Sequence, residues 1–508
     1  MCGVGAAYLF DHRKQVSHLL YQMLLSQENR MNYSAGITVF NEKRENDYLI
    51  AGDWGLGPIN TAFGLAEEKT RRLSLLEGYA GIAHGRYATS NSNKPFSTRQ
   101  KTRMAPPYCH YSDKRALHFS FGFNGNIANF KELYNQLKGE EEGYYIRTET
   151  DTEVFRILLL KGITKALRSN GGKELKAEAF KDIFAELDEK IIGAYSLVFQ
   201  DGNGNLILAR DAEETRPLVY TVQDFGFLGA SEPTAFHDQN IYTNIMNVEG
   251  GHFIIMNRKH EISDQIQFAQ KRLARCTFDQ IYFSHVTSCY DQTPTQLFRR
   301  AIGARMAEED STIQFTSNDL IACVPETARE YVNGYIEGFI RNGRLPPVPL
   351  EALIRNKNFR NFMEDDPQNR INQVRHKFRS SRGIAQGKRL FLGDDSTVRG
   401  DVMRTLIPVI KEELQPAEIH LRIFYDQFQH PCYRGIDVPE PGQLLSARLG
   451  GDVERIRRNL GVDSLKYTSI TKITEVLAEM SGKSPSDYCT GCANGGYPTD
   501  FEKKLAGV

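Results

Sequence analysis

The second residue of the chain is a cysteine, Cys2, directly after Met1. Removal of Met1, which a small second residue permits, leaves a thiol and a free α-amine on one residue. An α-amine has a pKa of roughly 7.7 to 8.0, so near neutral pH it accepts the thiol proton directly or through water, and nucleophile and base arrive together. By position alone, a cysteine there is more often accidental. A second candidate is the pair Asp394-Asp395, which leaves the apolar run Arg389-Leu390-Phe391-Leu392-Gly393 and leads through Ser396-Thr397-Val398-Arg399-Gly400 into a helical pattern. Carboxylates so placed can accept ribose hydroxyl protons, and loop amides at a helix amino terminus can cradle a phosphate. An isolated acidic pair is usually a helix cap. The third is Cys489-Thr490-Gly491-Cys492, whose spacing suits redox chemistry, zinc, or nothing beyond packing.

Positioning such groups takes more than one core. At 508 residues the chain exceeds the ~250 to 300 at which a single core stops growing, which gives two domains. With 40% hydrophobic and 25% charged residues it is globular rather than disordered. Lys plus Arg and Asp plus Glu are both 63, which excludes the global positive field of a nucleic-acid or anionic-membrane binder and leaves any anionic ligand to be held locally. No apolar run reaches the ~20 residues that span a bilayer, and the opening segment runs at once into Asp11-His12-Arg13-Lys14. Eight cysteines are too sparse for a disulfide scaffold. A reducing, cytoplasmic setting without nucleic-acid or membrane partners is the expectation.

The first half carries short β-type runs, among them residues 195–199, 206–209, 218–222 and 253–256. Between them, 152–168 and 177–190 repeat apolar residues at helical spacing and would cover sheet faces. Beyond about residue 260, apolar strands alternate with amphipathic helices, the pattern of a parallel α/β domain. The polar stretch 257–275 puts the boundary between domains 2–257 and 258–508.

Four segments then occur in order: Cys2-Gly3-Val4-Gly5, Gly81-Ile82-Ala83-His84-Gly85-Arg86-Tyr87-Ala88-Thr89, Phe123-Asn124-Gly125-Asn126-Ile127-Ala128-Asn129 and Thr150-Asp151-Thr152-Glu153-Val154. Singly, Arg86 and Asp151 read as surface ion pairs and Asn124-Gly125 as a turn. As an ordered set they resemble the class II glutamine amidotransferases, which are amino-terminal-nucleophile hydrolases. The resemblance implies that Cys2 attacks the glutamine amide and that Asn124 and the Gly125 amide hold the oxyanion. It also implies that Arg86 binds the α-carboxylate and Asp151 the α-ammonium, with Arg30 part of the glutamine site. A planar guanidinium suits a carboxylate, and fixed amide donors need no reorganisation as charge develops. One departure falls at Glu28-Asn29-Arg30-Met31-Asn32, where the family often has Gln-His-Arg-Gly-Gln and only Arg30 is kept.

The Asp394-Asp395-Ser396 segment resembles the phosphoribosyl diphosphate motif of type I phosphoribosyltransferases. With Ala209-Arg210-Asp211, Arg216-Pro217-Leu218 and Arg434-Gly435-Ile436-Asp437, the chain is similar nearly end to end to the glutamine phosphoribosyl diphosphate amidotransferase family. The implied fold is an α+β amino-terminal-nucleophile (αββα) glutaminase domain followed by an α/β type I phosphoribosyltransferase domain with a parallel sheet. The implied partners are glutamine, a phosphorylated sugar or nucleotide acceptor, Mg2+ and further copies of the chain. Cys276, Cys432, Cys489 and Cys492 match positions that hold a [4Fe-4S] cluster in one branch of the family, with zinc as the fallback. Departures cluster at the acceptor. Asp401 follows Gly400 where the family has small hydroxyl residues, Val324-Pro325-Glu326-Thr327-Ala328-Arg329 lacks a close-approach glycine, and Asn358-Phe359-Arg360-Asn361-Phe362 replaces a closing loop. They leave open a different ammonia acceptor, or a regulatory protein whose degenerate transferase domain senses nucleotides.

Overall fold

The structure, a computed structural model, describes residues 1–43, 49–87, 98–140, 145–356 and 375–508. Its backbone forms two compact units. One comprises residues 1–276 with 433–437 and 498–502, and the other comprises 277–432, 438–497 and 503–508.

In the first unit the strands β1 (Gly3–Leu9), β2 (Ser34–Phe40), β3 (Ile50–Leu56), β4 (Ala80–Arg86), β5 (Tyr108–His110), β6 (Phe119–Ile127) and β7 (Gly193–Asp201) divide between two sheets. The seven-stranded sheet has β1 between β4 and the strand Gly226–Ala230, with β2 and β3 beyond β4; the six-stranded sheet runs from Ile266–Gln267 through His252–Met256, Leu206–Arg210, β7 and β6 to β5. Strand alternation decides what lies between them. Val4, Ala6 and Tyr8 of β1 and Ala80 and Ile82 of β4 join Val198, Leu206, Leu208 and Ile254 in one apolar cluster. On β6 the alternate residues Phe119, Phe121 and Phe123 face the other way, into a cluster with Phe155, Leu158, Phe180 and Phe184 from the helices Asp151–Ser169 and Ala177–Lys190. The polar stretch around the expected boundary folds with this unit, where Phe253 pairs with Ile266.

The second unit is built on four parallel strands, Asp319–Cys323, Arg389–Asp394, Glu418–Ile423 and Ser464–Tyr467, adjacent in that order. Leu320, Leu390, Leu392, Leu421 and Leu465 pack with Leu406 and Ile410 of the helix Asp401–Glu413 and with Ile456 and Leu460 of Val453–Leu460. Strand, loop and helix follow one another, so the loops leaving the carboxyl ends of the strands gather at one edge, where α/β sheets bind ligands. No helix among the described residues is long and apolar enough to cross a membrane.

Candidate functional site

The alternation that buries Val4 and Ala6 between the sheets sends Cys2 to the same layer, and Ile82 carries His84 and Arg86 with it. On β6, Ser120, Gly122 and Asn124 face that layer from the other side. The backbone nitrogen of Cys2 donates to Asn124 Oδ1 at 3.0 Å. Asn124 is fully buried, and among the described residues its Nδ2 donates to nothing, a spare amide donor beside Cys2. Gly125 follows on β6, paired with Tyr195.

Arg86 ends β4 and is half-buried. Its Nη1 donates to the Met104 carbonyl at 2.8 Å, as does the Tyr108 hydroxyl at 2.7 Å, and its guanidinium lies 5.4 Å from the centre of the Tyr33 ring. Burial works against its charge, but Tyr108, Cys2, Asp151 and Tyr33 outweigh burial and hold its pKa above the ordinary arginine value. Asp151 opens the helix Asp151–Ser169, capped by Thr150, whose side chain accepts from the Glu153 amide at 3.3 Å. Burial raises the Asp151 pKa against the pull of Arg86 and of the Thr152 hydrogen bonds. Cys2, Asn124, Arg86 and Asp151 are thus assembled at one end of the inter-sheet layer. Tyr108 and Tyr33 belong to the same cluster, and no spacing rule singles them out in the sequence.

His84 sits one step deeper. Its ring fills the space left by Gly122, where a Cβ would come 2.8 Å from its Nδ1, and among the described residues neither ring nitrogen has a partner. Burial, helped by Arg86 and the chain's amino terminus, pushes its pKa down to about 3, so it is neutral at working pH. Arg30, fully buried, pairs with Glu232, to which Asn29 Nδ2 also donates at 2.8 Å. It borders Gly3 through its Cβ, so it braces β1. Met31 packs its thioether over Gly85, filling the space the family's glycine leaves open.

In the second unit Asp394 ends its strand and both it and Asp395 are buried; Ser396 Oγ donates to Asp395 Oδ1 at 2.8 Å. Burial and mutual repulsion raise the Asp394 pKa, and burial raises that of Asp395 against Ser396, Arg299 and Lys377. Two crowded hard carboxylates are the donor set a divalent cation or sugar hydroxyls would relieve. Lys377, not singled out by the sequence, lies within electrostatic reach of both; burial lowers its pKa and the acidic pair resists. The segment at 324–329 adjoins this loop, Val324 donating its amide to the Gly393 carbonyl at 2.9 Å, and Arg329 is engaged by Glu351 at 3.0 Å.

Asp401 opens the helix Asp401–Glu413; its side chain is 61% exposed and lies 3.8 Å from Arg404 Nη1. The closing loop at 358–362 and Ala88-Thr89 lie outside the described residues. The four cysteines expected to hold a cluster lie as follows. Cys276 belongs to the first unit and Cys432, Cys489 and Cys492 to the second. No group of three or more His, Cys, Asp or Glu among the described residues is arranged to hold a metal ion.

A family described as a glutamine amidotransferase domain matches residues 100–238, so the first unit carries the amidotransferase fold. Over the whole chain, the amidophosphoribosyltransferase of Methanothermobacter thermautotrophicus is 30% identical, covering 99% of this chain and 96% of the relative. That of Bacillus subtilis is 27% identical over 98% and 94%. The solved B. subtilis glutamine phosphoribosylpyrophosphate amidotransferase, complexed with ADP and GMP, shares the fold with a TM-score of 0.78 and 24% identity over 98% of both chains. The chain belongs to the amidophosphoribosyltransferase family.

Proposed function

We infer that this protein is a glutamine-dependent amidophosphoribosyltransferase, with its glutaminase site in the first unit and its transferase site in the second. The observation that carries the reading is the Cys2 nitrogen bonded to Asn124 Oδ1 while Asn124 Nδ2 stays available beside Arg86 and Asp151.

In the matured chain the Cys2 amine takes the thiol proton and Sγ attacks the side-chain carbonyl of glutamine. Asn124 Nδ2 and the Gly125 N–H receive the oxyanion, preorganised donors of the kind worth ~10²–10³ in rate each. Collapse expels ammonia, which leaves with the proton the amine had taken, and water then hydrolyses the thioester to glutamate. Arg86 and Asp151 bind the α-carboxylate and α-ammonium of glutamine, and Arg30, through Glu232, braces the strand that carries Cys2. At the second site Asp394 and Asp395 accept the ribose hydroxyls and the loop to Gly400 cradles the 5′-phosphate. Ammonia displaces diphosphate from the anomeric carbon. Bound Mg2+ supplies charge compensation for the diphosphate beside the acidic pair. Cys276, Cys432, Cys489 and Cys492 would hold a [4Fe-4S] cluster, or zinc as the fallback, in a structural role. Cytoplasmic location and homo-oligomeric assembly complete the reading.

Glutamine labelled with 15N in the side-chain amide tests it. With phosphoribosyl diphosphate and Mg2+, label should pass to a trapped phosphoribosylamine. Cys2→Ala should lose transfer from glutamine but keep it from ammonium. Labelled ammonia released without sugar product would assign a different acceptor.

A further inference from the structure

Residues 433–437 belong to the first unit, although the residues before and after them belong to the second. Several interactions tie this short segment to the glutaminase fold. Asn126 Nδ2 donates to the Tyr433 carbonyl at 2.7 Å, and Arg216 Nε donates to the Arg434 carbonyl at 2.9 Å. The buried Arg434 guanidinium donates to Glu213 Oε2 at 2.7 Å and Thr215 Oγ1 at 2.8 Å, and from its other edge to Glu502 Oε1 at 2.7 Å. Glu502 is itself fully buried, on the second short segment, 498–502, that joins this unit. Before Met1 is removed, the Gly435 carbonyl also accepts from the amino terminus at 3.1 Å.

Gly435 is the point of closest approach. Its φ of +102° lies in the region that favours glycine. A Cβ on it would stand 2.8 Å from the Gly125 carbonyl oxygen and 2.9 Å from its carbon. Backbone therefore packs on backbone at the residue whose N–H faces the oxyanion, and Asn126, next along β6, is held by the same segment. A charge-paired arginine such as Arg434, buried between two carboxylates, is a stiff anchor.

We propose that Arg434 and Gly435 are positioning residues of the glutaminase site: the anchored segment sets the orientation of the Gly125 peptide and so the oxyanion donor, without touching glutamine. This rests on the functional reading above. It makes the hydrolytic step depend on residues encoded far down the chain, which is why a chain truncated near residue 276 would carry Cys2, Asn124, Arg86 and Asp151 and still lack a formed oxyanion site.

The test is steady-state glutamine hydrolysis by the full-length protein and the variants Gly435→Ala and Asn126→Ala, the latter removing the Tyr433 tie without adding bulk. Alkylation of Cys2 by iodoacetamide is followed alongside, since that displacement needs no oxyanion donor. Gly435→Ala should lower kcat about 10- to 100-fold, the range of a misplaced oxyanion donor, with glutamine KM and the alkylation rate each within about twofold of the parent. Unchanged kcat, or a loss confined to KM or to alkylation, would overturn the proposal. If Gly435→Ala does not fold, Asn126→Ala decides: a several-fold fall in kcat alone supports it and full kcat refutes it. A parent protein that hydrolyses no glutamine refutes the functional reading itself, and is distinguished by failing before any variant is compared.

Discussion

Replacing His84 by glutamine should flatten the acid limb of the stability profile of the first unit. The histidine is fully buried with a pKa of about 3 in the fold, against 6.5 when exposed. Above pH 6.5 both states are neutral and the residue costs nothing. As pH falls below 6.5 the unfolded chain binds a proton that the folded chain refuses until about pH 3, so stability is lost progressively across that window. At pH 5 the loss is about 1.5 pH units times ~1.36 kcal/mol, or ~2 kcal/mol. Trp54, the single tryptophan, lies on β3, so its fluorescence follows urea unfolding of this unit. Between pH 8 and pH 5 the parent should lose ~2 kcal/mol more than His84→Gln, whatever the absolute stabilities. Parallel profiles would show that the imidazole protonates in the fold, and would refute the description of a dry, unpartnered ring.

The other expectations are direct. Arg86→Lys should raise glutamine KM at least about tenfold, ~1.4 kcal/mol, with Cys2 alkylation unchanged, because a point charge replaces a planar fork; an unchanged KM would remove Arg86 from substrate binding. Asp395→Asn should stabilise the ligand-free second unit at pH 7.5 relative to pH 4.5, since burial raises the carboxyl pKa and ionisation costs the fold. The same change should weaken Mg2+-dependent binding of phosphoribosyl diphosphate in calorimetry, and a variant that binds as tightly as the parent would dissociate the pair from the sugar. Asp401→Thr should tighten that binding by less than about tenfold. An exposed charge at ~4 Å in water contributes only about 1 kcal/mol before Arg404 offsets it, and a larger gain would mean that Asp401 turns inward. Protein purified anaerobically should contain about four irons per chain if the cysteine positions hold a cubane cluster; iron-free protein of equal stability makes them packing residues.

The cluster around Cys2 is legible in the sequence because alternation does the positioning. Once Val4, Ala6, Ile82 and Ile254 are read as one apolar layer, Cys2 and Arg86 must enter the same layer by parity. Asn124 follows from the opposite face of the phenylalanines on β6. Legibility fails where partners come from distant sequence. Nothing near Gly125 announces Gly435, and nothing near Asp394 announces Lys377, whose backbone carbonyl accepts from Asn356. Arg30 shows the same limit, since its buried partner Glu232 lies about two hundred residues away. The boundary drawn on polarity at 257 describes composition, whereas contacts carry the first unit to Cys276 and recruit two later segments.

The charges of the second site point to its use. Asp394 and Asp395 are adjacent, buried and mutually repulsive, and Lys377 is a basic group that opposes both. An ammonium whose own pKa is depressed by burial is a costly permanent counter-ion, because burial works against its charge. A pair of asparagines would remove the penalty without disturbing the strand, so the carboxylates serve something other than folding. Ribose hydroxyls donate to carboxylates, and a hard divalent cation tolerates two of them at once, so a sugar ligand with a metal would satisfy what the fold leaves strained. Such a site should bind diphosphate-bearing sugars cooperatively with Mg2+ and lose affinity as pH falls toward the raised carboxyl pKa values, because a protonated acid no longer accepts the hydroxyl protons. Affinity that held constant from pH 8 to pH 5 would require the pair to stay ionised in the bound state.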